Sequence, residues 1–385
     1  MTLLNHQLKY SKGYPDKGLL VHEGGSGKTV CACVWLADGR DRDALVVCPK
    51  KIVRKWQTTL ITWGTHATVV SKEEFKNLPI KEWSAKVIDE ADEFASPLFV
   101  AKNRSALSTH LYDLTKAYPD MPTLLLTATP IRSSPWNLHT LLIFYGKYID
   151  WKVWRERFFD LKYPGGQYRY LTRPAYIPKD TWRTDITHTL ERYSDIVLLK
   201  DCVDLPPVLE EVISVATIKY KRQPDDKVFF SEHRHEQQNK PKHVLEIGKE
   251  YRKVLVVAYY REQIEQLEKS LSKDRLTYAV YGGTKNQEDI LKKANEVDEC
   301  FLICQASLGS GFDADSFSCV IFVSMSYAVR DFIQMKFRVR RIHNLHTVKY
   351  YYLLAGRCDK AIYENVEKGK DFIPSEYLTR FAKEE

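Results

Sequence analysis

The chain has 385 residues, a length that suits two α/β domains. Its hydrophobic content of 44% and charged content of 28% are typical of a soluble globular protein. No apolar run approaches the ~20 residues of a membrane span, and the first residues do not resemble a signal peptide, so the sequence argues against membrane insertion and secretion. The net charge of +8 suits a polyanionic partner, although many basic enzymes bind no nucleic acid.

Eight cysteines are scattered along the chain, and several fall inside predicted strands, as Cys48, Cys304 and Cys319 do. This distribution indicates buried, reduced thiols of a cytoplasmic protein. The absence of a Cys-x-x-Cys pair argues against a structural zinc site. One further group has metal-ligating residue types, but its polar surroundings favour a solvated loop: His233, His235 and His243.

Short apolar strands alternate with helical stretches, which predicts parallel sheets covered on both faces. In the first half, the predicted strands are residues 19–21, 44–48, 68–70, 86–88 and 123–126. Functional side chains are expected just beyond the carboxyl ends of such strands.

A glycine-rich loop follows the first predicted strand and opens into an apolar helix. Its spacing is that of a phosphate loop, because glycines let successive N–H groups turn toward a phosphate and the helix start adds positive potential. Lys28 would reach the β- and γ-phosphates of ATP, and the Thr29 hydroxyl would hold Mg²⁺. His22 departs from the pattern, which usually begins with Gly or Ala, and an ordinary glycine turn is the weaker alternative. The predicted nucleotide-binding residues of this loop are Gly24, Gly25, Ser26, Gly27, Lys28 and Thr29.

Two acids, Asp89 and Glu90, end the predicted strand 86–88. Downstream of a phosphate loop, Asp89 is predicted to hold Mg²⁺ and Glu90 to activate the attacking water. Taken alone, the pair fits an acidic helix start equally well. Thr127 and Thr129 follow the next strand, where hydroxyls can bridge toward a second lobe, although a plain strand-ending turn explains them too.

Residues 131–200 are rich in aromatic and basic side chains and predict helices packed beside the first lobe, and the Leu205-Pro206-Pro207 segment marks the boundary. The predicted domains are therefore 1–130, 131–205 and 206–385. The second half has an alternating pattern of its own, with strands at 254–258, 301–304, 320–323 and 348–353, a helix after residue 260, and a capping box at Thr284–Gln287. It has no phosphate loop, which suggests a nucleotide clamped between two lobes.

A basic segment near the end carries the remaining candidates. Helical spacing places Gln334, Arg338 and Arg341 on one face, where the arginines could act on the γ-phosphate as arginine fingers. A basic surface helix or a nucleic-acid stripe is the alternative, and it remains open for Lys336 and Arg340. Gly311 and Asp313, after a predicted strand, are assigned to nucleotide binding.

In this order the motifs resemble the motor of superfamily-two helicases and translocases, and most closely the Swi/Snf branch. The resemblance runs from Leu3 to about Ile362 and implies an α/β fold of two RecA-like lobes, each a parallel sheet flanked by helices, with a helical insertion after the first lobe. It implies that Gln7 reads the adenine base. The segment 46–56 resembles the first DNA-contacting motif of that branch, and 127–131 its third motif. The pattern of Gln334, Arg338, Arg341 and Ile342 resembles its sixth motif.

The resemblance implies an ATPase, with ATP and Mg²⁺ as cofactors, that tracks along duplex DNA. The residues expected to contact the DNA are Lys50, Lys51, Lys72 and Lys336. Ala128 and Asp313 depart from the branch's preferences for Gly and Asn, and residues 89–92 spell the letters that name the RNA-unwinding DEAD-box branch. The compact length resembles phage-encoded motors, which would act in the host cytoplasm.

Two other functions stay open. A strand-separating or branch-migrating helicase on DNA or RNA would need a wedge, for which Trp151, Trp154 or Phe158 are candidates, although a packed core explains these aromatic residues more simply. A non-hydrolysing nucleic-acid clamp is disfavoured by the intact set of catalytic candidates Lys28, Asp89, Glu90 and Arg341.

Overall fold

The computed structural model of the chain describes residues 3–11, 13–98, 105–131, 134–162, 175–217, 233–234, 237–308, 312–342, 344, 346–372 and 374. The chain forms two compact units, Met1–Cys202 and Val203–Glu385. The division falls three residues before the predicted boundary at 205. None of the helices in the described ranges has both the length and the apolar character needed to cross a bilayer.

The first unit is built on a six-stranded sheet in the order β3-β2-β4-β5-β1-β8, and all of its strand pairs are parallel. The strands of this unit are β1 (Lys17–His22), β2 (Ala44–Cys48), β3 (Thr68–Ser71), β4 (Ala85–Ile88), β5 (Thr123–Thr127), β6 (Phe159–Lys162), β7 (Ala175–Pro178) and β8 (Asp195–Val197). β6 and β7 form a separate antiparallel pair. Every residue of β2 is buried, as expected for a central strand of a sheet covered on both faces.

Helices cover both faces of this sheet. They are α1 (Asn5–Leu8), α2 (Lys28–Ala37), α3 (Val53–Thr62), α4 (Lys72–Phe75), α5 (Ala106–Ala117), α6 (Trp136–Phe144), α7 (Trp151–Phe158), α8 (Trp182–Tyr193) and α9 (Leu199–Cys202). Alternate residues of β2 belong to different hydrophobic clusters, because successive side chains of a strand point to opposite faces. Leu45 and Val47 pack in the cluster that includes α6, whereas Val46 packs in the cluster that includes α2.

The aromatic stretch after residue 130 is part of the first unit. Trp154 and Phe158 of α7 are buried in the same cluster as α6, so the structure supports the packed-core interpretation of these side chains and leaves neither exposed as a wedge. The stretch is also less helical than predicted. Besides three long helices it contains the β6–β7 pair and β8, which adds an edge strand beside β1.

The second unit repeats the parallel-sheet architecture in the order β11-β12-β10-β13-β14-β9. Its strands are β9 (Val208–Val215), β10 (Lys253–Ala258), β11 (Thr277–Val280), β12 (Cys300–Gln305), β13 (Cys319–Phe322) and β14 (Val348–Ala355). Its helices are α10 (Lys240–Gly248), α11 (Arg261–Leu271), α12 (Gln287–Glu296), α13 (Val329–Val339) and α14 (Gly356–Glu367). The predicted α/β class with two parallel sheets is confirmed.

Two local predictions in the second unit are wrong. α12 begins at Gln287 after Asn286, whose φ of 56° is left-handed and whose side chain makes no cap. Thr284 instead accepts a hydrogen bond from the Tyr281 N–H (3.0 Å), so there is no capping box. His233 does not lie in a solvated loop, because its ring is fully buried and hydrogen-bonds through Nε2 to Asp359 (2.8 Å). His235 lies outside the described residues.

Candidate active site

The glycine-rich loop connects β1 to α2 in the first unit. Gly25 and Gly27 have φ of 86° and 88°, a left-handed conformation that favours glycine. A Cβ at position 27 would lie 2.5 Å from Gln7 Nε2, so any other residue there would displace the Gln7 amide from the loop. The local sequence therefore folds as the phosphate-loop spacing predicts, with Lys28 and Thr29 in the first turn of the helix.

Internal hydrogen bonds hold the loop in shape. Ser26 Oγ donates to the Glu23 carbonyl (2.8 Å), and Lys28 Nζ donates to the carbonyls of His22 (2.8 Å) and Glu23 (3.3 Å). The Glu23 carboxylate accepts from the Leu199 N–H (2.7 Å), and the Glu23 N–H donates to the Val197 carbonyl (3.0 Å). The loop is thereby fastened to the segment that forms β8 and begins α9.

The predicted adenine-reading residue lies against this loop. Gln7 is buried, and its Oε1 accepts a hydrogen bond from the Leu4 N–H (3.0 Å). The neighbouring His6 donates through Nε2 to the Ser26 carbonyl (2.9 Å). α1 and the phosphate loop therefore form one local structure, which places the Gln7 amide next to the loop.

The acidic pair stands at the carboxyl end of β4. Asp89 is buried, and its two oxygens accept hydrogen bonds from Trp56 Nε1 (2.8 Å) and the Glu90 N–H (2.9 Å). Burial, followed by the nearby Glu90 charge, raises the pKa of Asp89 to about 6, and the charge of Lys28 acts in the opposite direction. Since β1 and β4 both pair in parallel with β5, the loop that follows β1 and the acids that follow β4 lie at the same edge of the sheet.

Glu90 itself has a left-handed backbone, with φ of 50°. This conformation is uncommon for a residue with a Cβ, and such strain is concentrated at functional sites. The chain then turns into a short 3₁₀ helix, Ala91–Phe94. Thr127 at the end of β5 donates through Oγ1 to Asp92 (2.9 Å), and Thr129 lies 3.5 Å from the same carboxylate. The threonines thus connect to the acidic segment within the first unit.

The oxygen donors in this site fit a magnesium ion. Thr29 contributes a hydroxyl and Asp89 a carboxylate, and Mg²⁺ prefers such hard oxygen ligands. Each Asp89 oxygen accepts one of the hydrogen bonds described above and retains a further lone pair. The buried carboxylate is therefore oriented in advance and still able to bind a cation.

The predicted nucleic-acid contacts of the first unit differ in their surroundings. Lys50 and Lys51 are exposed in the 3₁₀ helix Lys50–Ile52. Lys72, the first residue of α4, forms an ion pair with Glu93 and is only partly exposed. A nucleic-acid phosphate would therefore compete with Glu93 for the Lys72 ammonium group.

In the second unit, the two candidate arginines meet at one backbone carbonyl. Arg338 donates to the Phe312 carbonyl (2.8 Å), and Arg341 lies 3.5 Å from the same oxygen and forms an ion pair with Asp313 (2.6 Å). The prediction that Arg341 lies on the helix face is wrong, because α13 ends at Val339 and Arg340 is extended. Arg341 nevertheless reaches the segment carrying Asp313.

Of the three other candidates in this unit, two lie in the described ranges and have defined surroundings. Gln334 is buried in α13. Lys336 forms an ion pair with Glu210 (2.7 Å) and lies over the ring of Tyr350. Gly311 is outside the described residues.

Sequence reasoning missed three residues that position the first-unit site: Trp56, Glu23 and Asp92. Trp56 lies in the segment that resembles a DNA-contacting motif, yet its indole faces Asp89. Glu23 lies in the glycine-rich loop and Asp92 lies just after the acidic pair, so both belong to motifs that the sequence made visible. Their roles could not be predicted because their partners, Leu199 and Thr127, are distant in sequence.

Comparisons with known proteins agree with this description. Residues 239–343 match the family of the helicase conserved C-terminal domain. The helicase Lhr of Mycobacterium smegmatis, solved with ssDNA and AMP-PNP, is similar with a TM-score of 0.56 and 13% identity over 96% of this chain and 48% of its own. The SWI2/SNF2 ATPase core of Sulfolobus solfataricus, solved with dsDNA, aligns with a TM-score of 0.43 and 14% identity over 97% of this chain and 93% of its own. No curated protein matches the sequence.

The likeness to Lhr shows the fold, and this chain spans about half the length of the Lhr chain. The family match lies in the second unit and covers α10 to α13, including both candidate arginines. The two parallel sheets are therefore the RecA-like lobes that the motifs predicted. Residues 239–343 thus carry a helicase conserved C-terminal domain, and the motifs of the chain resemble those of superfamily-two helicases and translocases of the Swi/Snf branch.

Proposed function

We propose that the chain is a nucleic-acid-dependent ATPase that translocates on duplex DNA and remodels DNA or protein–DNA complexes. The observation that carries this proposal is that the phosphate loop and the acidic pair, with its buried Asp89, follow β1 and β4 at the same edge of one parallel sheet. The AMP-PNP bound by Lhr supports nucleotide binding by the same fold. Preference for duplex DNA rests on the Swi/Snf-like motifs.

Each residue of the first lobe has a definite task in this proposal. The loop N–H groups and Lys28, which now donates to loop carbonyls, exchange these contacts for phosphate oxygens of ATP. Thr29 and Asp89 hold Mg²⁺, which neutralises phosphate charge when bound. Glu90 takes a proton from the attacking water. Gln7 reads the adenine base from its position beside Gly27.

The second lobe contributes the arginines. Arg338 and Arg341 would exchange their present contacts with Phe312 and Asp313 for the γ-phosphate when the nucleotide is clamped. Charge on the phosphate oxygens in the transition state favours that exchange. Cycles of clamping and release would move the lobes along the DNA backbone, with Lys50, Lys51, Lys72 and Lys336 contacting phosphates.

A strand-separating helicase is the second candidate, because the fold is similar to a helicase bound to ssDNA. The buried Trp154 and Phe158 argue against their use as a strand-parting pin. The deciding experiment measures ATP turnover with duplex DNA, single-stranded DNA, RNA or no polymer. Displacement of a third strand from a triplex then reports translocation, and displacement of one strand of a duplex reports unwinding.

We expect turnover to rise with duplex DNA and this stimulation to fall steeply with salt, because phosphate contacts release counterions. Lys28→Ala should abolish turnover, whereas Lys116→Ala, at an exposed position of α5, should not. Near-normal turnover in a folded Lys28→Ala protein would contradict the phosphate-loop assignment. Stimulation by RNA alone, or duplex unwinding without triplex displacement, would contradict the duplex-translocase assignment.

A further inference from the structure

Three metal-ligating side chains meet directly beneath the phosphate loop. His6 comes from α1, His22 from the end of β1 and Cys31 from the second turn of α2. One ligand atom from each lies within 4.8 Å of the other two. His22 and Cys31 are fully buried, and His6 is half-buried. The cluster therefore joins three elements of one lobe at a single point.

The ring nitrogens of both histidines are arranged as in metal ligands. His6 Nε2 must carry a proton, because its partner at 2.9 Å is the Ser26 carbonyl, which can only accept. His22 Nε2 faces the Asp195 carboxylate (3.4 Å) and the Tyr10 hydroxyl (3.2 Å). The Nδ1 atoms of both rings are buried, and neither has a hydrogen-bond partner among the residues that the structure describes.

A neutral imidazole protonated on Nε2 has its lone pair on Nδ1. Metal-ligating histidines almost always use one nitrogen for the metal and donate the other N–H to a carboxylate or backbone carbonyl, which is the pattern of His22 and His6. Two buried lone pairs without partners otherwise cost free energy with no compensation. The arrangement is thus more specific than a chance meeting of histidines and a cysteine.

We propose that His6, His22 and Cys31 form a binding site for a zinc-type divalent metal ion, with His6 and His22 ligating through Nδ1 and Cys31 through its thiolate. Bond lengths of about 2.0–2.3 Å to tetrahedral zinc place ligand atoms about 3.5 Å apart. Ligand atoms at the 4.8 Å limit would need to move closer to one another by about 1.3 Å. Imidazole nitrogens and thiolates are both established zinc ligands.

The surroundings supply the remaining requirements. Asp195 accepts from Tyr10 and pairs with Lys9, so its charge is held in place behind His22. That carboxylate and the Cys31 thiolate together balance a divalent charge, while the displaced thiol proton leaves to solvent. A water molecule on the side of the half-buried His6 can complete the coordination.

The site differs from the Mg²⁺ position proposed for ATP hydrolysis, which uses the oxygens of Thr29 and Asp89. A bound ion would link His22, which immediately precedes the loop, to His6 in α1, the helix that also carries Gln7. The zinc-type ion is therefore inferred to set the shape of the phosphate loop and not to take part in hydrolysis.

The test uses the full chain without nucleotide, so its result does not depend on ATPase activity. The chain is stripped with a chelator and titrated with Co²⁺ and, separately, with Zn²⁺. Co²⁺ reports a thiolate ligand through a charge-transfer band and tetrahedral geometry through intense visible bands. Elemental analysis gives the bound zinc after gel filtration. The variants are Cys31→Ala, Asp195→Asn and the matched control Cys33→Ala, a buried cysteine on the same helix that is not part of the cluster.

We expect about one equivalent of metal and a thiolate band in the wild type and in Cys33→Ala. Asp195→Asn should weaken binding by about 10–100-fold, the usual effect of removing an outer partner, and Cys31→Ala should lose the band and weaken binding at least as much. Far-ultraviolet circular dichroism establishes that each variant is folded. Binding that persists unchanged in Cys31→Ala, a missing thiolate band, equal loss in Cys33→Ala, or no binding to the wild type would each overturn the proposal.

Discussion

Lys86 is a buried amine in the strand that carries the acidic pair, and replacing it with methionine should stabilise the first lobe. The side chain is 0% exposed within β4, and its Nζ donates one hydrogen bond, to Thr115 Oγ1 (2.7 Å). Burial lowers the pKa of Lys86 from 10.5 to about 7, and the charge of Lys17 adds to the effect. Burial of the protonated amine therefore costs the folded lobe free energy, whereas the amine of the unfolded chain is solvated.

The cost follows from the two pKa values. A pKa of about 7 in the folded state lies about 3.5 below that of the unfolded state, which corresponds to about 5 kcal/mol at low pH and about 4 kcal/mol at pH 7. Lys86→Met keeps the methylene packing and removes the amine, at the loss of one hydrogen bond worth about 1 kcal/mol. Thr115 Oγ1 still donates to the Leu111 carbonyl. We therefore expect a gain of about 2–4 kcal/mol at pH 7.

The pH dependence of the unfolding free energy tests the predicted effect of Lys86→Met. Between pH 7 and 10.5 the unfolded chain binds more protons than the folded chain, so wild-type stability rises with pH and the advantage of Lys86→Met shrinks. All eight tryptophans precede residue 203, so their fluorescence during urea unfolding reports the first lobe alone. Lys116→Met, at an exposed position of α5, is the control and should be neutral. Destabilisation by Lys86→Met at pH 7, or a gain that does not change up to pH 10, would refute the reasoning.

Three further predictions concern the proposed ATPase. Trp56→Phe removes the indole donor to Asp89 and should weaken apparent Mg²⁺ affinity about 10–100-fold in a turnover assay, whereas Trp63→Phe, farther along the same chain segment, should not. Glu90→Gln should retain nucleotide binding in an equilibrium assay but lose turnover by ~100-fold or more; loss of binding would indicate a structural role. Arg341→Ala should lower turnover by ~10³-fold with ATP affinity unchanged, and full recovery at saturating DNA would identify it as a DNA contact instead.

The sequence was sufficient for the elements with strong local signals. Continuous apolar runs predicted the central strands β2, β5, β10 and β12, because strands covered on both faces need apolar side chains at every position. β8 and β9 were missed for the opposite reason. β8 has only three residues, starts with an acid and ends inside the apolar run 196–199, whereas β9 is mostly exposed and is interrupted by Glu210 and Glu211, so neither strand coincides with an apolar run.

Periodicity also failed where a helix stopped without a Gly or Pro to mark its end. The spacing of Arg338 and Arg341 fits a helix, but Arg340 adopts φ of −84° and ψ of 98°, which ends α13. Asn344 Nδ2 then donates to the Val339 carbonyl (2.8 Å) and satisfies one of the last helix acceptors. The arginines nevertheless meet at Phe312, through a fold-back that no three- or four-residue pattern can predict.

Two features that seem unrelated in the sequence are in contact in the structure. They are His22, which replaces the usual Gly or Ala of the phosphate-loop pattern, and the strand β8, which the sequence did not predict. β8 lies beside β1 and pairs Val197 with His22. Two residues earlier in β8, Asp195 faces the His22 ring and also accepts from Tyr10. A Gly or Ala at position 22 would leave the partly buried Asp195 carboxylate with Tyr10 and Lys9 as its partners, whereas the fully buried imidazole needs such a polar partner to be buried at all. The substitution in the phosphate loop and the acid that begins the edge strand therefore depend on each other, although 173 residues separate them.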